Sequence, residues 1–241
     1  MIKWSFVHLD EATSTQSIAK SLASMGAPEG TTIVAKTQSS GEGRLGRKWV
    51  SPPGGLYMSF VLRPSSLPKP EQAALVGALA IVKGVKKSTG IETRIRWPND
   101  VMAAKKKVAG VLAEAQSYGD DLTEITVGVG LNCNSKVEGP RDLQATSLHE
   151  VLGAKVDLTE VRKAILGTFS DLYDSWQGGE DMSRPWSEVQ IFGGTVAIKL
   201  KTENPFSGKT SGLNAEGNLV VSVLGRLRTI RSEDLEWLTE K

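Results

Sequence analysis

Apolar residues in the first 90 positions follow helical spacing in some segments and strand spacing in others, which predicts a mixed α+β fold. A short helix is predicted over 13–25, followed by Gly26 as a stop signal. A longer helix is predicted from Pro70, a favourable first helical residue, up to Gly90. The apolar sides are Ile18, Leu22 and Met25 in the first helix, and Leu75, Ala78, Leu79, Val82 and Val85 in the second.

Strand signals surround these helices. Residues 31–37 are β-rich and 56–62 form an apolar run typical of a buried strand. Further strands are predicted at 94–97, 107–115 and 124–131, separated by turn residues.

The strand at 124–131 has two unlike faces. Apolar Ile125, Val127, Val129 and Leu131 alternate with Thr126, Gly128 and Gly130. The glycine-bearing face presents almost no side chain, so a ligand or another backbone can lie close to it. Close packing of a helix explains the same pattern, and periodicity does not decide between the two interpretations.

The last third of the chain changes character. A capping arrangement at 157–160 precedes a helix whose apolar stripe indicates that it faces the core. That stripe consists of Val161, Ile165, Phe169, Leu172 and Trp176. From Ile191 onward, short strands at 195–200 and 219–224 alternate with glycine turns, which is typical of a small β-barrel of about fifty residues. We therefore place a domain boundary near Ser187, giving units 1–187 and 188–241.

Composition and charge narrow the class of protein. The 241 residues carry 29 basic and 27 acidic side chains, so the basic excess expected of a duplex nucleic-acid-binding protein is missing. A single cysteine excludes an internal disulfide and suits a reducing compartment. The N-terminus lacks a secretory signal and no apolar run reaches the roughly 20 residues that span a bilayer. We expect a cytoplasmic protein without a membrane partner.

The segment 41–49 combines glycines with cations. Its glycine spacing matches the dinucleotide-binding fingerprint, but residues 47–55 cannot form the helix that such a loop must open. The chain also contains no P-loop sequence. Arg44, Arg47 and Lys48 are suited to a carboxylate or phosphate, and Trp49 offers a flat surface for a purine. A solvated basic loop and a core tryptophan explain these residues equally well.

Residues 97–100, Trp-Pro-Asn-Asp, predict a tight polar turn between two strands. Lys107 follows at the start of an apolar strand, beside small residues that leave room for it to reach a pocket. A plain hairpin turn and a solvated lysine run at a sheet edge are the alternatives.

Together these motifs resemble the ordered motif set of biotin protein ligases. The matching segments are 14–16, Gln38, 41–49, 97–100, 107–110 and 128–132. The resemblance covers nearly the whole chain and makes the C-terminal unit similar to that family's small SH3-like domain. Because the chain starts close to the catalytic module, it is similar to the short ligases without an N-terminal DNA-binding domain, and no nucleic-acid partner is expected.

The resemblance implies an α+β fold, with a mixed β-sheet catalytic domain flanked by helices and a small C-terminal SH3-like β-barrel. It implies a two-step reaction with biotin, ATP and Mg²⁺. Biotin is first activated to biotinyl-5′-AMP, and biotin is then transferred to a lysine on the biotin-acceptor domain of a biotin-dependent carboxylase. The metal ligands are not placed, and a homodimer formed at a sheet edge is one alternative for the assembly.

The resemblance also assigns roles to residues. Lys107 is expected to meet both the biotin carboxylate and the α-phosphate, with Arg44 as the second catalytic residue. Biotin is expected to bind Ser14, Thr15, Gln16, Gln38, Glu42, Gly43, Arg44, Lys107 and Gly110. ATP and the adenylate are expected to bind Arg47, Lys48, Trp49, Arg96, Asn99, Asp100 and Asn132.

Two residues depart from the family pattern. Gln16 replaces the usual asparagine, and Glu42 stands where the family usually has arginine. A carboxylate at position 42 raises the cost of binding an acidic substrate unless it points outward and Arg44 and Lys36 compensate. The alternatives to a biotin ligase are a lipoate or octanoate ligase, and a biotin- or adenylate-binding protein impaired by Glu42.

Overall fold

The structure is a computed structural model that describes residues 1–64, 70–118, 121–136, 145–191 and 194–240. The helices are α1 (Thr15–Ser24), α2 (Pro70–Thr89), α3 (Leu148–Leu152), α4 (Leu158–Gln177) and α5 (Ser183–Ser187). The first sheet comprises β1 (Ser5–Ala12), β2 (Thr31–Glu42), β3 (Lys48–Ser51), β4 (Leu56–Leu62), β5 (Arg94–Arg96), β6 (Asp100–Ala103), β7 (Lys106–Tyr118) and β8 (Asp121–Leu131). The second comprises β9 (Thr195–Leu200), β10 (Phe206–Leu213), β11 (Leu219–Val223), β12 (Arg226–Ile230) and β13 (Leu235–Glu240).

The first sheet is mixed. Its strand order is β1-β2-β4-β8-β7-β6-β5, with β3 paired to β2 outside this path. The β1–β2 pair is parallel and the other pairs are antiparallel. This sheet and the flanking helices confirm the predicted α+β class. No helix among the described residues has the length and apolar character needed to cross a bilayer.

The two faces of β8 separate core from cavity, as their alternation predicts. Ile125, Val127 and Leu131 are fully buried and join the core cluster. A Cβ at Gly77 of α2 would lie 2.9 Å from Val111 and 3.6 Å from Val127, so α2 packs closely on this apolar face. On the opposite face, a Cβ at Gly128 would lie 2.5 Å from Oε1 of Gln16, so helix α1 also packs against the glycine-bearing face, as the alternative interpretation of the glycines proposed.

Helix α4 supports α2 from behind and begins where the sequence predicts. The Asp157 carboxylate accepts hydrogen bonds from the backbone N–H groups of Thr159 and Glu160, which satisfies two free donors of the first turn. At Gly84 a Cβ would lie 2.7 Å from the Cα of Ile165, so only glycine permits this approach of the two helices.

The second sheet is antiparallel, with the order β12-β11-β10-β9-β13. Its strands β9 and β11 agree with the predicted segments. The structure therefore confirms β-structure in the C-terminal region. Among the described residues its pairing order is open, from β12 at one end to β13 at the other, and does not close into the predicted barrel.

Several predicted details are wrong. The buried face of α1 includes Ala19 and Ala23, while Met25 is 81% exposed. Small residues are selected there because α1 lies close to β2 and β4. Strand β2 continues through the glycine-rich stretch as far as Glu42, since its pairing with β3 satisfies the backbone groups at Gly41 and Glu42.

Candidate active site

A cavity of about 300 Å³ lies on the glycine-bearing face of β7 and β8. It extends to the segment 235–238 at the start of β13, so both sheets contribute to its lining. The predicted site residues in the lining are Thr15, Gln16, Gln38, Glu42, Gly43, Arg44, Arg47, Lys48, Trp49, Arg96, Asn99, Asp100, Lys107, Gly110 and Asn132. The structure thus brings together residues that are up to 117 positions apart, from Thr15 to Asn132.

Ser14 is the one predicted site residue outside this lining. It is 1% exposed and caps α1, where its hydroxyl accepts a hydrogen bond from the backbone N–H of Ser17 at 3.2 Å. Its neighbour Thr15 turns into the cavity, so Ser14 orders the helix start that presents Thr15.

Trp49 covers the glycine-bearing face of the sheet. A Cβ at Gly130 would lie 2.4 Å from the Trp49 indole, and a Cβ at Gly110 would lie 3.1 Å from it. The two glycines therefore make room for a side chain, the Trp49 ring, where the sequence predicted a ligand or another backbone. The indole Nε1–H is buried without a hydrogen-bond partner.

Asp100 joins two cations at the turn between β5 and β6. Its Oδ1 lies 2.5 Å from Lys107 Nζ and its Oδ2 lies 2.8 Å from Arg96 Nη2. Burial opposes ionisation, but the charges and hydrogen bonds of Lys107 and Arg96 hold the pKa of Asp100 below its usual range. Lys107 Nζ also lies 5.2 Å from the centroid of the Trp49 ring.

The turn that carries Asp100 is held against β7. The Asn99 side chain donates to the Val111 carbonyl at 2.7 Å, and the Val111 N–H donates to the Asn99 carbonyl at 3.0 Å. The tight turn predicted from the sequence is confirmed, and Asn99 fixes its position. The Asn132 side chain, also in the lining, donates to the Thr146 carbonyl, and its buried Oδ1 has no hydrogen-bond partner among the described residues.

A polar network forms another wall of the cavity. The Thr15 N–H and hydroxyl both donate to Gln38 Oε1, at 2.8 and 3.1 Å. The Thr15 hydroxyl is also 2.9 Å from the Ser59 hydroxyl, and Gln38 Nε2 donates to Ser51 Oγ at 2.8 Å. Ser59 was not predicted as a site residue, although a serine within the apolar run 56–62 was the available signal.

Glu42 is engaged by α1. It accepts a hydrogen bond from the Ser17 hydroxyl, and Lys20 Nζ lies 3.8 Å from its Oε2. Burial opposes ionisation, yet the hydrogen bonds from Ser17 and Ser14 and the charge of Lys20 hold the pKa of Glu42 below its ordinary value. Lys36, whose compensation of Glu42 was one of the alternatives, instead pairs with Asp10 at 2.6 Å.

The cationic loop contacts the turn before β13 and β13 itself. Arg44 Nη2 donates to the Ser232 carbonyl at 2.5 Å, and Arg47 Nη2 donates to the Glu236 carbonyl at 3.2 Å. Arg44–Gly46 forms a short 3-10 turn in which Leu45 has a φ of +57°. The contribution of 235–238 was not predicted, because no local signal indicates which distant segment a loop will contact.

The cavity can hold an acidic ligand that has a polar end. Hydroxyl and amide groups of Thr15 and Gln38 lie in the same lining as the ammonium group of Lys107. Among the described ranges, no three His, Cys, Asp or Glu side chains form a metal-binding group. Asp100 already bonds two cations.

Two comparisons with known proteins indicate the same family for this chain. The family model of the biotin/lipoate A/B protein ligases matches residues 9–132. The chain is 35% identical over 237 residues to the bifunctional ligase/repressor BirA of Bacillus subtilis, a match covering 95% of this chain and 73% of the relative.

Two solved structures of similar fold are biotin protein ligases with bound ligands. The biotin protein ligase of Aquifex aeolicus in complex with biotin and ATP matches with a TM-score of 0.84 and 31% identity, over 98% of this chain and 99% of that one. The Leishmania major biotin protein ligase in complex with biotinyl-5-AMP matches with a TM-score of 0.65 and 25% identity, over 94% and 98% of the two chains.

Proposed function

The chain belongs to the biotin/lipoate A/B protein ligase family, and we propose that it activates biotin with ATP and transfers it to a lysine of an acceptor protein. The main support for this function is the set of side chains that line the cavity. It combines a polar wall at Thr15 and Gln38 with the cation of Lys107, which suits an acid that carries a hydrogen-bonding ring. The biotin and ATP complexes of similar ligases support the same substrates.

In the first step, a carboxylate oxygen of biotin attacks the α-phosphorus of ATP. The bond from that phosphorus to the bridging oxygen breaks, and pyrophosphate leaves with its electron pair. Negative charge grows on the α-phosphate oxygens, so a cation placed beside them lowers the barrier. Lys107 is our candidate for this cation, because its ammonium group pairs with Asp100 alone among the described residues, which leaves two N–H donors for the carboxylate and the phosphate.

We assign the remaining contacts by position. Thr15, Gln38 and the neighbouring Gln16 would bind the ureido ring, while Gly110 leaves room beside Lys107. Trp49, Asn99, Asn132 and the Asp100–Arg96 pair would define the adenylate side. Arg44, Arg47 and Lys48 belong to a loop that would cover the phosphates and exclude water from the mixed anhydride.

Mg²⁺ fits this site as an ion carried mainly by the nucleotide. No metal-binding group of three side chains exists among the described residues, and the Asp100 carboxylate is already paired. When bound, the ion would neutralise phosphate charge. With the ion bound, Asp100 would orient Lys107 as before, and Arg44 would hold the cationic loop over the phosphates.

In the second step, the acceptor lysine amine attacks the acyl carbon of biotinyl-5′-AMP. An amide bond forms, the amine loses a proton, and AMP leaves with the oxygen that joined it to the acyl group. We propose a biotin-acceptor domain of a carboxylase as the partner, in agreement with the function of the family. Measuring the mass of the enzyme in solution tests whether it is a homodimer.

We also propose that the chain works as two units, 1–187 and 188–241. The two sheets share no strand pairing among the described residues, and α5 ends at Ser187 before β9 begins. The pairing order of the second sheet is compatible with an SH3-like barrel. Its part in catalysis would be to hold the loop through the carbonyl groups of Ser232 and Glu236.

ATP–pyrophosphate exchange tests this function directly. Biotin, lipoate and octanoate are supplied separately, with Lys107→Ala as the matched inactive variant. Exchange with biotin alone is expected. Exchange only with lipoate or octanoate would assign the chain to the other ligases of its family, and absence of exchange from folded protein would leave a binding protein.

A further inference from the structure

Lys20 on α1 links the carboxylate of Glu42, which lines the cavity, with that of Glu114, which lies outside the lining. Its Nζ is 3.8 Å from Glu42 Oε2 and 3.2 Å from Glu114 Oε2. Glu42 ends β2 where the cationic loop begins, and Glu114 belongs to β7. The three side chains are 26%, 34% and 36% exposed, so solvent only partly screens these ion pairs.

Each end of this linkage reaches a residue of the first turns of α1. Ser17 donates to Glu42, and Gln16 Nε2 donates to Glu114 Oε2 at 2.9 Å. Gln16 Nε2 also donates to the Thr126 carbonyl at 3.2 Å, so two acceptors hold the same end of the amide. The other end, Oε1, therefore faces Gly128, where an added Cβ would lie 2.5 Å from it.

Lys20 also determines the charge beside the cavity. Glu42 and Glu114 contribute two negative charges, and Lys20 is the cation paired with both. An acidic substrate that enters the cavity meets one net negative charge from these three residues, and would meet two if the lysine were removed. Lys36, the nearest lysine before Glu42 in sequence, is bonded to Asp10.

We propose that Lys20 is a positioning residue for biotin binding. It neutralises Glu42 and, through Glu114, holds the Gln16 amide and the start of the cationic loop in the geometry that accepts biotin. Neither Lys20 nor Glu114 belongs to the described lining of the cavity, so both act through Gln16 and Glu42, which do. This inference rests on the proposed function, since it concerns the affinity of the same site for biotin.

Lys20→Met and Lys20→Arg test the inference in biotin-dependent ATP–pyrophosphate exchange. Lys20→Met is expected to raise the biotin KM about fivefold, with kcat within about twofold of wild type, because the variant loses partly buried ion pairs and leaves the reacting groups in place. Lys20→Arg is expected to restore the KM. An unchanged KM in Lys20→Met, or an equal loss in both lysine variants, would overturn the inference.

A second substitution separates charge from folding. In the Lys20→Met background, Glu42→Gln is expected to bring the biotin KM back toward wild type, because it removes the uncompensated carboxylate. A double variant no better than Lys20→Met would exclude charge compensation. Lys163→Met is the matched control, since it removes the Lys163–Glu160 pair on α4 at 2.8 Å, far along the chain from this network.

The wild-type enzyme distinguishes this inference from the proposed function. Biotin-dependent exchange by wild type, together with a normal KM in Lys20→Met, would reject the role of Lys20 alone. Absence of biotin-dependent exchange in wild type would reject both.

Discussion

Lys107 and Asp100 form an ion pair in the cavity, with 2.5 Å between Lys107 Nζ and Asp100 Oδ1. The second carboxylate oxygen of Asp100 bonds Arg96, so the acid is held from two sides. An ammonium group has three N–H donors, and this arrangement directs one of them away from the substrate. The pair therefore fixes where the lysine lies while leaving most of its donors for a ligand.

Lys107→Ala is expected to lower biotin-dependent adenylation by a factor on the order of 10²–10³, because it removes a positioned cation from the charge that develops on the phosphate. Asp100 keeps Arg96 as a partner, so the fold should survive. Pyrophosphate exchange measures the loss, and circular dichroism checks the fold. Normal turnover would show that Lys107 does not have this role.

Asp100→Asn is expected to lower adenylation and to change how stability depends on pH. The pKa of folded Asp100 lies below its ordinary value of 3.8, so its ion pairs stabilise the protein above that pH and lose their effect as pH falls through the folded pKa. Wild type should therefore have the higher Tm near pH 6, and the difference should shrink below about pH 4. A Tm difference that stays constant down to pH 3 would contradict the assignment of the shifted pKa to Asp100.

The sequence predicted an element correctly where the residues that determine it lie within that element. The stripe and cap of α4 predicted that helix correctly, because a helix satisfies its hydrogen bonds locally and needs only one apolar side. Strand β1 was missed because it is an edge strand that is exposed over most of its length. Its hydrogen bonds come from β2, about 25 residues away, and no alternation marks a buried face.

The same distinction applies to the site. Residues within the motifs could be named from their order, and nearly all of them line one cavity. The partner of Glu42 could not be named. Lys36 was one alternative, but it pairs with Asp10 on the neighbouring strand β1. Lys20 reaches Glu42 because α1 packs beside β2, which is a tertiary relationship.

Gly130→Ala is expected to displace Trp49 and to weaken adenylation. The new Cβ would lie 2.4 Å from the indole, below any normal contact distance, so the ring has to leave its place on β8. The ATP KM should rise, as measured by exchange at saturating biotin. Gly167→Ala on the exposed side of α4 is the control, since no described atom beyond the adjoining helix backbone lies within 4 Å of its Cβ and the helix should gain about 0.5–1 kcal/mol. Equal kinetics in the two variants would show that Trp49 does not need this glycine.

Arg44→Ala is expected to expose the biotinyl-5′-AMP intermediate to hydrolysis. The Arg44 side chain joins the loop to the turn before β13 at the Ser232 carbonyl, and loss of this charge-assisted hydrogen bond should favour the open loop by about tenfold. Water would then reach biotinyl-5′-AMP more often, and AMP formation in the absence of acceptor should rise relative to pyrophosphate exchange. Arg47→Ala, which removes the longer bond to the Glu236 carbonyl, should have the smaller effect because that side chain is exposed.

If AMP release without acceptor is the same in wild type and Arg44→Ala, contact of Arg44 with the Ser232 carbonyl does not keep the loop closed. A lower rate of exchange with unchanged AMP leakage would instead place Arg44 in the adenylation step alone.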